Sequence, residues 1–174
     1  MEELMKAYNS LSIFPDVAKC LESLKKNSDI TAVVFSNGTH EMVSNSVTKS
    51  PELKEHADVF KDIVVVEEPK RFKPAPEAYH HLAKKVGKDP KDPASMSEIW
   101  LVSGNPFDVV GARAVHMNAI WVDRAGNGWQ DSLIEGEKGR PTEVVQGLDQ
   151  VEKTVSSHHS EEAKGEWNDL HGGR

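Results

Sequence analysis

Short apolar runs that alternate with helical patterns constrain the fold of this chain more than any other feature. The runs cover residues 31–35, 62–66, 99–102 and 119–122. Such runs are long enough for a buried strand and too short for a helix. The segments between them space their apolar residues by three and four, as a helix requires. This alternation predicts an α/β fold with a doubly wound, parallel sheet.

The segments outside these runs are assigned by apolar spacing and by proline and glycine. Helical patterns begin at Pro15 and Pro76 and also cover residues 40–46, 51–57, 107–116 and 142–151. Residues 88–97 are rich in Pro and Asp and predict a connector. Residues 156–174 carry many charges and few apolar groups, so we expect a frayed or disordered tail. The predicted organisation is an α/β core over residues 15–155, preceded by a short helical segment at residues 1–14.

Composition argues against several classes of protein. The chain has 174 residues, of which 37% are hydrophobic and 28% charged, and its formal net charge is −7. Binding to nucleic acid usually needs a basic surface, and no apolar run approaches the roughly 20 residues of a membrane span. Cys20 stands alone, so the sequence contains neither a disulfide framework nor a cysteine zinc cluster. We therefore expect a cytoplasmic protein of one domain that binds neither nucleic acid nor membranes.

Polar residues follow the first two runs. Ser36 and Asn37 offer a hydroxyl, a carboxamide and N–H groups that can hold a small anion, although they can also cap the next helix. After the second run, two prolines stiffen a loop that presents Lys73, and Tyr79 lies in the first turn of the following helix. The Lys73 ammonium can stabilise a carboxylate. The alternative is a solvated lysine beside a helix start.

A third polar cluster follows the third run. Ser103 and Asn105 lie in the turn, and Asp108 lies in the first turn of the next helix. Asp108 can activate a water molecule that Ser103 and Asn105 orient, or it can be an ordinary acid at a helix N-terminus. Ligands of parallel sheets bind at the carboxyl ends of the strands. Three clusters at such ends therefore predict one functional site.

Taken together, the motifs resemble those of the haloacid dehalogenase (HAD) superfamily, and most closely the type II 2-haloacid dehalogenases. The second, third and fourth family motifs are similar to Ser36-Asn37-Gly38, Lys73-Pro74-x-Pro76-x-x-Tyr79 and Ser103-Gly104-Asn105-Pro106-Phe107-Asp108. The resemblance covers roughly residues 8–129. Asn105 stands where phosphatase members usually carry an Asp that helps to hold Mg²⁺, and Asn is a poorer ligand for that ion. The resemblance therefore favours the metal-free dehalogenase branch over a phosphatase.

The resemblance implies a Rossmann-like core that hydrolyses the carbon–halogen bond of short 2-haloalkanoates without a cofactor. In the family an Asp attacks C2 and displaces halide, and water then hydrolyses the resulting ester. Here Lys73 would hold that nucleophile ionised, and Asp108 would activate the water. The implied site comprises the substrate-binding residues Ser36, Asn37 and Tyr79 and the catalytic residues Lys73, Ser103, Asn105 and Asp108.

The chain departs from the family pattern upstream of Ser36. The family's nucleophilic Asp follows an apolar strand, whereas Asp16 and Asp29 do not. The helical cap, with its substrate-binding Arg, also has no counterpart, and residues 2–14 resemble the linker that leaves the cap. We therefore expect the C-terminal portion of a dehalogenase, truncated and dependent on a nucleophile that this chain does not show.

In the family, the nucleophile's strand lies between the strands that correspond to residues 31–35 and 99–102. Without it we expect one of three arrangements: direct pairing of these two strands, filling by another molecule such as a second copy, or a strand from a separate polypeptide. Unpaired strand edges favour association. Two other functions stay open: a non-catalytic HAD remnant that oligomerises or binds small carboxylates, and a HAD phosphatase, which Asn105 disfavours.

Overall fold

The computed structural model describes residues 12–160. Its helices and strands follow in the order α1 (Pro15–Lys26), β1 (Ala32–Ser36), α2 (His40–Lys49), β2 (Phe60–Val65), α3 (Pro76–Lys85), α4 (Pro93–Ser97), β3 (Trp100–Ser103), α5 (Pro106–Ala114), β4 (Asn118–Val122), β5 (Glu143–Val145) and α6 (151–160). Short 3₁₀ turns cover Lys54–Val59, Glu137–Gly139 and Leu148–Gln150. The α/β class predicted from the sequence is confirmed.

The strands form two parallel sheets. One contains β1 and β2, and the other contains β3, β4 and β5 in that order. Within the described residues β1 and β3 are not paired, so direct pairing of these two strands, one of the three expected arrangements, does not occur. Side chains of α3 and α5, among them Tyr79, Leu82 and Val109, pack in one cluster with residues of both sheets. This shared packing, rather than a hydrogen-bonded ladder, fixes the positions of the two sheets.

Strand β4 shows why the larger sheet is stable. All five of its residues are buried, because successive side chains point to opposite faces and both faces are covered. Ala119 and Trp121 belong to the cluster beneath α3 and α5. Ile120 and Val122 belong to a second cluster with residues of α1 and α6. Cys20 lies in this second cluster, where burial raises the pKa of its thiol to about 11.

Several predicted elements need correction. Residues 142–151 were predicted as a helix, but they form β5 and a 3₁₀ turn, and α6 begins only at residue 151. The reason is that Thr142 joins the edge of β4: its amide donates to the Ala119 carbonyl at 2.8 Å, and its hydroxyl accepts from the Ala119 amide at 3.0 Å. The predicted connector at 88–97 contains α4, whose first turn is capped by the Asp92 carboxylate.

The C-terminal tail predicted at residues 156–174 begins as a helix. Residues 156–160, predicted to be frayed, continue helix α6. Residues 161–174 and residues 1–11 lie outside the described part of the chain. None of the helices within residues 12–160 has the length and apolar content that crossing a membrane requires.

Asp16 joins the start of α1 to the larger sheet. Its Oδ2 atom accepts hydrogen bonds from Nη1 of Arg124 at 2.5 Å and from the Leu148 amide at 2.6 Å. Partial burial opposes ionisation of this carboxyl group, but the hydrogen bonds outweigh burial and lower the pKa of Asp16. A carboxyl group with a lowered folded-state pKa stabilises the fold above its unfolded-state pKa. That contribution disappears as the pH falls through the folded-state value.

We therefore expect Asp16→Asn to lower the free energy of unfolding by about 1 kcal/mol at pH 7 and by much less near pH 3. Urea denaturation at pH 7, 5 and 3 measures this difference. Glu22→Gln, which changes an exposed acid on the same helix, is the matched control and should change little. A deficit of equal size at all three pH values would contradict the role given to the Asp16 carboxylate.

Candidate active site

A buried ion pair lies where the carboxyl ends of β1 and β3 come together. Nζ of Lys73 is 2.7 Å from Oδ2 of Asp108 and donates a second hydrogen bond to the Phe35 carbonyl at 3.2 Å. The side chains of Lys73 and Asp108 are only 9% and 5% exposed. Burying two charges carries a desolvation cost that their attraction only offsets. A pair retained at such a cost marks a candidate functional site.

Local sequence explains how the two charges reach this place. Asp108 lies in the first turn of α5, where a carboxylate is favoured by the helix dipole, and Pro106 is the first helical residue. Lys73 comes from the loop between β2 and α3. Its Nζ lies 4.5 Å from the centre of the Phe35 ring, which adds a cation–π contact. Phe35 of β1 and Asp108 of α5 thus hold the ammonium group that the loop presents.

Tyr79 is fully buried and binds the other oxygen of Asp108. Its hydroxyl lies 2.8 Å from Oδ1 of Asp108 and 3.2 Å from the Asp108 carbonyl. Burial, followed by the nearby Asp108 carboxylate, raises the pKa of Tyr79. The phenol therefore stays protonated and donates. Tyr79 was predicted to bind substrate, but the structure places its hydroxyl on Asp108, inside the core.

Asn37 holds the loop that carries Lys73. Its Oδ1 accepts from the Lys73 amide at 2.8 Å, and its Nδ2 donates to the Lys73 carbonyl at 3.4 Å. The alternative role, capping the next helix, belongs to Thr39, whose hydroxyl accepts from the Met42 amide. Asn37 therefore serves the site loop rather than helix α2.

Two serines end β1 and β3 with the same hydrogen bond. Oγ of Ser36 accepts from the Gly38 amide at 3.0 Å, and Oγ of Ser103 accepts from the Asn105 amide at 3.1 Å. Each hydroxyl thus closes the turn that follows its strand. Asn105 is exposed at the start of α5, where its side chain makes no capping hydrogen bond.

One continuous set of hydrogen bonds joins four of the seven predicted site residues, namely Asn37, Lys73, Tyr79 and Asp108. Ser103 and Asn105 are joined to each other by a separate hydrogen bond. Within residues 12–160, Asp108 is the only carboxylate that contacts Lys73. Asp16, which lies upstream of Ser36, forms an ion pair with Arg124 instead. Over the same residues, no three potential metal-binding side chains converge.

Sequence reasoning missed two residues that shape this site. Phe35 contacts Lys73 through its carbonyl and its ring, and it packs edge-on against Tyr79 with ring centres 5.6 Å apart. Gly111 lies against Tyr79, as described below. A glycine inside a helical pattern is a signal that can identify such a position. Phe35 offered no signal, because an apolar residue in a buried strand is ordinary.

The fold and the site together define an α/β core with a buried Lys–Asp pair at the carboxyl ends of its strands. The model of the haloacid dehalogenase-like hydrolase family matches residues 2–116. This chain belongs to that family of hydrolases.

Two relatives and one solved structure illustrate the similarity. The chain is 32% identical over 126 residues to (S)-2-haloacid dehalogenase 4A of Burkholderia cepacia, a match that covers 72% of this chain and 50% of that protein. It is 30% identical over 113 residues to (S)-2-haloacid dehalogenase of Xanthobacter autotrophicus, covering 65% and 40%. The L-2-haloacid dehalogenase of X. autotrophicus with chloropropionic acid covalently bound superimposes with a TM-score of 0.69 at 25% identity, covering 87% of this chain and 64% of that one. The chain spans about half the length of the curated relatives it matches.

Proposed function

We propose that this chain carries the hydrolytic part of a site that cleaves the carbon–halogen bond of small 2-haloalkanoates. The observation that carries the proposal is the buried Lys73–Asp108 pair at the ends of β1 and β3. The names of the relatives, which are 2-haloacid dehalogenases, support this substrate class. The proposal joins the site chemistry of this chain to the substrate named for its relatives.

In the proposed reaction, a nucleophilic carboxylate attacks C2 of the substrate and halide leaves with the electrons of the broken bond. Asp108 then takes a proton from water, whose oxygen attacks the ester carbonyl. The bond from this carbonyl carbon to the ester oxygen breaks, the ester oxygen takes up the proton, and a 2-hydroxyacid leaves while the nucleophilic carboxylate is restored. Lys73 and Tyr79 bind one oxygen of Asp108 each and so orient the carboxylate. In this proposal Tyr79 acts through Asp108 and does not touch the substrate.

The remaining predicted residues line the strand ends. Ser36 and the Asn37 amide would bind the substrate carboxylate, and Ser103 and Asn105 would orient groups beside Asp108. Their position at the ends of β1 and β3 supports these roles. Asn37 has a second function, because its side chain fixes the backbone of Lys73.

The reaction also needs a nucleophilic carboxylate, and in the described part of the chain the Asp108 carboxylate is the only one that contacts Lys73. We propose that a strand from outside residues 12–160 supplies this carboxylate by entering between β1 and β3, which are unpaired with each other. Lys73, which already contacts the end of β1 and Asp108, would hold the incoming group ionised. Association of two copies through the same strand edges is the second candidate for this position.

The test is chloride release from racemic 2-chloropropionate in the presence of EDTA. The chain is assayed alone and with the part of the B. cepacia relative that it does not match, supplied as a separate polypeptide. We expect release only with the added segment, and a loss of at least about 100-fold in the Asp108→Asn variant. Asp58→Asn, at an exposed ion pair with Lys25, is the control and should keep full activity.

Absence of chloride release from both preparations would contradict the proposed dehalogenase activity. Calorimetric titration with propionate would then distinguish two cases. A binding module would give a heat of binding, whereas a protein without a carboxylate site would give none. Release of phosphate that depends on Mg²⁺ would instead support a phosphatase, against the indication of Asn105.

A further inference from the structure

Gly111 occupies a helical position that does not need glycine for backbone reasons. It lies inside α5, three residues after Asp108, and its φ is not in the left-handed region. Glycine lowers helix stability relative to alanine at an interior position. Some contact outside the helix must therefore explain its presence.

That contact is the ring of Tyr79. A Cβ atom on residue 111 would lie 2.3 Å from the hydroxyl oxygen of Tyr79, 2.7 Å from its Cζ and 2.8 Å from its Cε2. Non-bonded carbon and oxygen atoms do not approach so closely. By contrast, a Cβ on Gly104 would meet nothing nearer than 3.9 Å. Residue 111 must lack a side chain if Tyr79 is to stay where it is.

Tyr79 has little freedom to move away. The residue is completely buried and lies in a cluster with Leu82 and Val109. Its ring packs edge-on against Phe35, and the Phe35 ring in turn lies below the ammonium of Lys73. A methyl group on residue 111 would therefore displace the hydroxyl from Asp108 rather than find an empty space.

We propose that Gly111 is a positioning residue: it leaves the space through which the Tyr79 hydroxyl reaches Asp108. Residues three apart lie on one face of a helix, so the space above Gly111 adjoins the Asp108 carboxylate. Tyr79 then fills this space and donates to Oδ1, while Lys73 binds Oδ2. The catalytic meaning of this arrangement rests on the proposed function, but the steric relation between Gly111 and Tyr79 does not.

The first experiment compares thermal unfolding in two backgrounds. Gly111→Ala is expected to lower the melting temperature when residue 79 is Tyr. In a Tyr79→Leu background, where the clashing ring atoms are gone, the same substitution should raise it by about 2 °C, since alanine is the better helix former. A change of the same sign in both backgrounds would overturn the proposal.

The second experiment observes the hydroxyl directly. The chain has two tyrosines, so Tyr8→Phe leaves Tyr79 as the single source of a ¹³Cζ-tyrosine NMR signal. Gly111→Ala should move this signal in the same direction as Asp108→Ala does, because both remove the hydrogen bond. Ala112→Gly, which weakens the same helix without adding an atom beside Tyr79, is the control and should leave it in place. An unmoved signal in Gly111→Ala would overturn the proposal even if the variant were less stable.

Chloride release provides the third measurement. We expect Gly111→Ala to lower kcat at least about 10-fold in the Tyr79 protein and to add little in a Tyr79→Leu background, which lacks both the hydroxyl and the clashing ring atoms. Additive losses would contradict a role through the hydroxyl. If no preparation releases chloride while the melting and NMR results hold, the proposed function fails and the positioning role of Gly111 stands.

Discussion

Replacing Lys73 with alanine is expected to lower the free energy of unfolding by about 3 kcal/mol and to abolish chloride release. The substitution leaves the Asp108 carboxylate, which is only 5% exposed, without its ammonium partner. Breaking a buried pair by removing one partner costs roughly 3–5 kcal/mol, because the remaining charge has lost both water and its counter-ion. Urea denaturation at pH 7 measures the stability, and the assay above measures the activity.

Lys85→Ala is the matched control for this prediction. Lys85 makes an ion pair of 2.8 Å with Glu68, close to the 2.7 Å of the Lys73 pair, but its side chains are 45% and 68% exposed. Exposed pairs contribute little to the free energy of unfolding, because water and salt screen the two charges. Similar losses in the two variants would show that burial does not set the value of the Lys73 pair.

A double variant tests whether the stability lost in Lys73→Ala comes from the buried Asp108 charge that is left without a partner. Lys73→Met together with Asp108→Asn removes both charges while keeping similar volumes. This variant should recover at least half of the stability that Lys73→Ala loses, although it should stay inactive. No recovery would mean that Lys73 stabilises the fold chiefly through Phe35, whose carbonyl and ring it also contacts.

Replacing Ile120 with alanine is expected to cost about 3 to 4 kcal/mol of unfolding free energy. Ile120 is completely buried in β4, between α1 and α6 on the face of the second cluster. Removing a buried Ile side chain loses its transfer free energy and leaves a cavity that close-packed neighbours fill only in part. Since domains are stable by only about 5–15 kcal/mol, the variant should be close to unfolding at moderate temperature.

Truncation of an apolar residue to alanine at the edge of the sheet supplies the comparison. Val144 lies in β5 and is 49% exposed, so Val144→Ala should change the free energy of unfolding by no more than about 0.5 kcal/mol. Urea denaturation of both variants at one pH gives the difference. Equal losses would contradict the assignment of β4 as the covered centre of the larger sheet.

Much of the fold could be predicted because β1 to β4 each contain a short run of apolar residues. Strand β4 is an uninterrupted apolar run apart from Asn118, and this run alone located it within one residue. Strand β5 could not be found in this way. Only Val144 and Val145 mark it as apolar, and its pairing depends on Thr142, whose hydrogen bonds to Ala119 span 23 residues of sequence. Local patterns carry no information about such a partner.

The same distinction between local patterns and distant partners applies to the candidate site. The polar residues at the strand ends were found because motifs place them there, and Lys73 and Asp108 do lie together. What the motifs could not give was which atoms meet. Asn37 was expected to bind the substrate through its N–H, and the motif did not indicate that its carboxamide binds the backbone of Lys73. Tyr79 was expected beside the substrate, yet its ring fills the space above Gly111, a contact between two helices that no spacing in one of them reveals.

Because the two sheets share no hydrogen bonds between strands within residues 12–160, the Lys73–Asp108 pair also connects them. Lys73 belongs to the unit that contains β1 and β2, whereas Asp108 belongs to the helix that follows β3. No hydrogen-bonded ladder joins these two units within the described residues. The ammonium and the carboxylate therefore form an ion pair between the two sheets, in addition to the core cluster that both sheets share. Any displacement of one sheet relative to the other would also separate the two charges of the site.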